Sequence, residues 1–182
     1  QSNLVLPPPE IGRALFDALP SDQREAGIFL STDGQMSALE AETLPFRECM
    51  IQDRNGRFTY ELYYAGPNRV PIIAIAVYAA PGNWQANNWM EQARFILESV
   101  ELDGLYIDQF NLSFQGIQRF SHRGWDGVTV DVDTTSGQIQ QRYVDGGLSG
   151  IDPRERLIEY ATARGVMVAN TFSVGSEYQS VP

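Results

Sequence analysis

Residues 72–80 read IIAIAVYAA, an uninterrupted apolar run. A run without alternation describes a strand covered on both faces, as in a parallel sheet flanked by helices. Two later segments repeat the signal. DGLYIDQFN at 103–111 runs apolar residues into Asp108, and VMVANTF at 166–172 runs them into Asn170. Between the first two, NWMEQARFILESV at 88–100 sets Met90, Ala93, Phe95, Ile96, Leu97 and Val100 largely on one helical side. Ahead of the third, Asp152 caps and Pro153 opens a helix that Gly165 stops. Strand, helix, strand, insertion, helix, strand predicts an α/β fold of parallel strands joined by right-handed crossover helices. An open doubly wound sheet and an arc of a (β/α) barrel both fit this order. A full eight-stranded barrel needs about 250 residues, and the chain has 182. The expectation is therefore a partial or reduced (β/α) barrel with a β-hairpin insertion, or one piece of a larger barrel.

The chain is expected to be a single α/β domain over residues 1–182. Residues 1–45 form its N-terminal helical and extended region, and 111–150 a loop and hairpin insertion. Pro7-Pro8-Pro9 reads as extended, and Ile11, Leu15, Ala18 and Leu19 give a helix over Glu10–Leu19. Arg54-Asn55-Gly56 is a turn signal between Met50–Asp53 and Phe58–Tyr64. In the insertion, Thr134-Thr135-Ser136-Gly137 separates GVTVDVD from QIQQRYV as a second hairpin. Thr32-Asp33-Gly34 marks a further turn.

Charge and rare residues exclude several function classes. A formal net charge of -10 lacks the positive field that phosphate binding needs, so neither nucleic acid nor an anionic membrane is an expected partner. Cys49 is the single cysteine and His122 the single histidine, which removes internal disulfides, iron–sulfur clusters and Cys/His-rich zinc sites from this chain. Apolar neighbours make Cys49 an inert core thiol. No Gly-rich phosphate loop follows a strand, and no cofactor is expected. No stretch approaches a membrane span. Gln1-Ser2-Asn3 reads either as a processed end, which would suit an extracytoplasmic protein, or as the scar of a tag.

Ligands of parallel α/β proteins gather at the C-terminal strand ends. Here those ends hold Asn83 and Trp84, then Asp108, Gln109 and Asn111, then Asn170, with Glu177 beyond. Carboxylates, amides and aromatic rings together suit a carbohydrate, whose hydroxyls take bidentate partners and whose ring faces stack on indoles. Asp108 is the candidate nucleophile or base, and Glu177 or Asp126 the candidate acid. Trp125-Asp126 forms a substrate-contacting corner. Asp131 and Asp133 share a strand face in a weak calcium-like pattern that lacks its later ligands, so no metal site is assigned. Asn111-Leu112-Ser113 has the form of a glycosylation acceptor.

The blocks PFRECMIQDRNGRFTYELYYAG, VYAAPGN, DGLYIDQFN, RGWDGVTVDVDTTSGQIQQRYVD, GVMVANT and EYQS, in that order, resemble the central part of poorly characterised glycoside-hydrolase-like (β/α)-barrel proteins over roughly residues 45–180. The resemblance implies a nucleophile at the aspartate closing an apolar strand, which Asp108 matches. It implies a hydrolase acting on a carbohydrate through paired carboxylates. The alternative is a non-catalytic carbohydrate-binding or structural assembly subunit. An incomplete barrel also leaves strand edges for a second copy or further domains to cover.

Overall fold

The structure is a computed structural model that describes residues 4–19, 21, 30–31, 44–107, 110 and 120–169. Its first half is an antiparallel sheet. Strands β1 (Leu4–Val5), β2 (Leu30–Ser31), β3 (Thr59–Ala65) and β4 (Val70–Ala76) lie in the order β1-β4-β3-β2. β3 and β4 form a hairpin from Tyr60↔Ile75 to Ala65↔Val70, closed by the turn Gly66–Arg69 in which Arg69 N–H donates to the Gly66 carbonyl at 3.1 Å. The Gly-Pro-Asn sequence there supplies the turn chemistry. Helix α1 (Pro9–Ala18) packs on β4, with proline at its first position and Glu10 in its first turn, both suited to a helix N-terminus.

The segment before β3 extends the same sheet. Ile51 N–H donates to Ala76 O at 2.9 Å and Tyr78 N–H to Cys49 O at 2.8 Å. The expected Asn-Gly turn forms as a short hairpin: Gly56 N–H donates to Asp53 O at 3.1 Å, Asp53 N–H to Arg57 O at 2.9 Å and Thr59 N–H to Ile51 O at 3.0 Å, around the antiparallel bridge between Gln52 and Phe58. Leu15, Leu19, Phe46, Met50, Ile51, Leu62 and the run Ile73–Val77 are all buried in one cluster.

The second half is built differently. Helix α2 (Trp84–Arg94) continues through a π turn, Phe95–Ser99, toward strand β5 (Gly104–Ile107). After short strands β6 (Phe120–Ser121), β7 (Val130–Val132), β8 (Ile139–Arg142) and β9 (Val144–Asp145) come helix α3 (Ile151–Thr162) and strand β10 (Val166–Ala169). β7 and β8 form the hairpin expected around residues 134–137, with a register shift between Asp131 and Val132, and β6 pairs with β9. β10 pairs with β5 in parallel, from Val166↔Gly104 to Ala169↔Ile107. Gly104 allows that approach, since a Cβ there would lie 2.2 Å from the Val166 carbonyl oxygen.

A second core joins α2, α3 and the parallel pair through Ala79, Trp89, Ala93, Leu105, Phe110, Leu157 and Ala161. Arg154 is buried within it. Its Nε donates to Phe110 O at 2.7 Å, and its other nitrogens reach the carbonyls of Gly147 and Gly146 at 3.2 and 3.5 Å. Gly150 makes room, because a Cβ there would meet Arg154 Nη1 at 2.1 Å. Asp152 lies in the first turn of α3 rather than at its cap, which is Gly150.

The expected partial (β/α) barrel of parallel strands and crossover helices does not form. β4, read as a parallel strand, lies between antiparallel neighbours β1 and β3, and among the described residues it pairs with neither β5 nor β10. Among the described residues parallel pairing is confined to β5 and β10, and the remaining sheets are antiparallel. The physical reason is simple. Uninterrupted apolarity records burial on both faces, and a central antiparallel strand under a helix meets that condition as well as a parallel one. The direction was encoded by the tight turn at 66–69, which only an antiparallel partner can use.

Candidate functional site

The parallel pair sets the first part of the site. β5 and β10 end side by side at Ile107 and Ala169, the residues directly before Asp108 and Asn170. Asp108, Gln109, Asn111, Asn170 and Glu177 themselves lie outside the described residues, as do the Thr32–Gly34 turn and the 111–113 acceptor.

Beside β5 lies a cavity of about 550 Å³. Leu105, Tyr106 and Ile107 form one wall, and α2 forms another with Gln85, Asn88, Trp89 and Gln92. Helical spacing sets Gln85, Asn88, Trp89 and Gln92 along one face. Trp89 is fixed by its packing on Phe110, with ring centroids 5.9 Å apart, and by Arg154 against its ring. Tyr106 stands 66% exposed. Sequence inspection passed over these amides because it followed the apolar stripe of the same helix. The available signal was amides at helical spacing beside an aromatic residue.

Asn83 and Trp84 serve the start of α2. The Asn83 Oδ1 accepts from Ala86 N–H at 3.0 Å and its Nδ2 donates to Tyr78 O at 2.9 Å, so both ends of the amide hold backbone. The Trp84 N–H donates to Glu48 Oε1 at 2.7 Å, and its ring packs 5.3 Å from Phe46.

Asp126 and Trp125 sit at the base of the β7–β8 hairpin. One Asp126 oxygen accepts from the N–H groups of Val128 and Thr129 at 3.0 and 2.7 Å, the other from Thr129 Oγ1 at 2.5 Å and Asp145 N–H at 2.8 Å. Burial raises the pKa of this carboxyl, but the hydrogen bonds outweigh it and hold the group below the usual aspartate range. Trp125 Nε1 donates to Thr129 O at 3.1 Å, and Arg142 lies 4.6 Å from the ring centroid. The indole is 46% exposed.

The hairpin carboxylates are engaged separately. Asp131 accepts from Tyr143 Oη at 3.0 Å and from Arg54 at 2.9 Å. Asp133 accepts from the N–H groups of Thr135 and Ser136, both at 2.8 Å, and caps the turn. Among the described residues no group of three or more His, Cys, Asp or Glu is placed to hold a metal. His122 packs on Tyr143 at 5.0 Å, and burial followed by the Arg54 charge pushes its pKa down. Cys49 is buried and bonded to Phe46 O at 3.1 Å, and burial pushes its thiol up to about 12, which removes it as a nucleophile. Among the described residues no helix is long and apolar enough to cross a membrane.

The structure thus places Trp125 and Asp126 at one corner and Asn83 and Trp84 at another, with the cavity wall of β5 ending at Ile107. No protein-family model, curated protein or solved structure matches the chain. The glycoside-hydrolase resemblance therefore stands on the ordered sequence blocks alone.

Proposed function

We propose that the chain is a glycoside-hydrolase-like protein that acts on a carbohydrate, with Asp108 as nucleophile or general base and Glu177 as general acid. The observation that carries this reading is the in-register ending of β5 and β10 at Ile107 and Ala169, immediately ahead of Asp108 and Asn170. Neighbouring parallel strands that end together open a crevice where their loops diverge, and ligands settle there. Asp126 suits the acid role poorly. A general acid must keep its proton near neutral pH, and the hydrogen bonds of Asp126 favour its ionised form.

A non-catalytic carbohydrate-binding or assembly subunit is the second reading. It is favoured by the same four hydrogen bonds of Asp126, which leave Glu177 as the remaining candidate acid. Hydrolysis and binding measured together separate the two. Asp108→Asn and Glu177→Gln should each lower turnover of a neutral glycoside by roughly 100-fold or more with thermal unfolding unchanged. Turnover that survives Asp108→Asn would sink the catalytic assignment. Sugar binding without turnover in the native chain selects the second reading.

A further inference from the structure

We infer that the cavity between α2 and β5 is a binding subsite for a neutral oligosaccharide, held by the side-chain amides of Asn88 and Gln92 and stacked against Tyr106. The inference rests on the proposed carbohydrate reading and gives it a location. Size is the first argument. About 550 Å³ falls within the roughly 300–1,000 Å³ of small-molecule sites.

The lining is the second argument. The described residues around the cavity include no Asp, Glu, Lys or Arg, in a chain that is 20% charged. A charged ligand would find no counter-ion there, and burying its charge unpaired would be costly. The polar groups present are primary amides, each able to donate and accept at once, as neighbouring sugar hydroxyls require. Among the described residues neither the Asn88 nor the Gln92 side chain has a hydrogen-bond partner, so their capacity is open to a ligand.

The third argument is the strand edge. β5 pairs along one edge with β10, and among the described residues no strand pairs with its other edge. The wall formed by Leu105, Tyr106 and Ile107 therefore offers backbone donors and acceptors beside the amides. Tyr106 adds an aromatic ring that is 66% exposed, the kind of amphipathic surface that stacks on a pyranose face. The wall ends at Ile107, one residue before Asp108 in the sequence.

The test is calorimetric titration of the full chain with neutral tetrasaccharides (maltotetraose, cellotetraose, mannotetraose) and with tetragalacturonate as the charged comparison. The native chain should bind one neutral tetrasaccharide and not the acidic one. Asn88→Ala combined with Gln92→Ala should weaken that binding at least tenfold, and Tyr106→Ala should do so independently from the opposite wall. Alanine is the better helix former, so α2 should persist, as circular dichroism would verify. Unchanged affinity in both the double variant and Tyr106→Ala overturns the subsite while leaving the carbohydrate reading intact. Equal binding of tetragalacturonate overturns the neutral selectivity. A native chain that neither binds nor cleaves any of the neutral sugars overturns the carbohydrate reading, and the subsite with it.

Discussion

The two halves of the molecule bury their strands to different degrees. In the antiparallel half, Ile73 through Ala79 are buried without interruption, and Leu62 of β3 is sealed beside them. Among the described residues only one face of the parallel pair is covered. Leu105 packs into the second core, while Tyr106, Val166 and Val168 on the opposite face are 66%, 64% and 53% exposed. Register explains the grouping, since Val168 lies opposite Tyr106 and Val166 opposite Gly104. A sheet sealed on both faces can contribute stability and little else. A pair with one open face, an open edge and a cavity beside it has surface left for a ligand.

The sharpest way to break that contrast is to remove packing from the sealed half. Leu62 is fully buried, so Leu62→Ala should cost about 3–4 kcal/mol through lost burial and the cavity left behind. Chemical denaturation read by Tyr and Trp fluorescence would measure it. A cost below about 1 kcal/mol would mean that the first core is not close-packed and that the two halves do not differ as described.

Next in size is the junction that Asp126 holds. Through its bond to the N–H of Asp145 it ties the hairpin to the residue that caps the short helical turn Gly146–Ser149 before α3. Its pKa is lowered in the fold, so the folded state binds the proton less readily than the unfolded chain. Its contribution is then present in full above the unfolded value of about 3.9 and is lost as pH falls through the lower folded value. Asp126→Asn should cost about 1–2 kcal/mol at neutral pH, because charge-assisted hydrogen bonds become neutral ones. It should also flatten the stability loss below about pH 4. Urea denaturation at pH 7 and pH 3 would check both, and an unaltered acid slope would remove Asp126 as the titrating tie.

Burial was largely legible in the sequence, and strand direction only in part: β5 and β10 pair in parallel as read, whereas β4 is antiparallel to both its neighbours. IIAIAVYAA announced a doubly covered strand, and Thr134-Thr135-Ser136-Gly137 announced the hairpin turn that forms. The partner of the apolar run was misread because unbroken apolarity was taken for parallel pairing, whereas the turn at 66–69 joins the run to β3 as an antiparallel hairpin. Pairing depends on contacts distant in sequence, which no local pattern records. The candidate site divides in the same way. Asn83 looked like a sugar ligand and caps a helix, because an amide beside a helix start suits either role. Asn88 and Gln92 went unmarked because a helix face acquires meaning only when the wall opposite it is known.

The smallest effect is the most discriminating for the comparison. Valine and threonine have nearly the same shape, so replacing one with the other tests whether a position is wet. At Val77, fully buried, Val77→Thr places a hydroxyl in an apolar core and should cost about 1–3 kcal/mol. At Val168, 53% exposed, the hydroxyl remains in water, and Val168→Thr should change stability by less than about 0.5 kcal/mol. Thermal unfolding of the two variants side by side makes the measurement. Equal costs would mean that the outer face of β5 and β10 is covered in solution, and the sedimentation mass of the native chain would then show whether a second copy covers it.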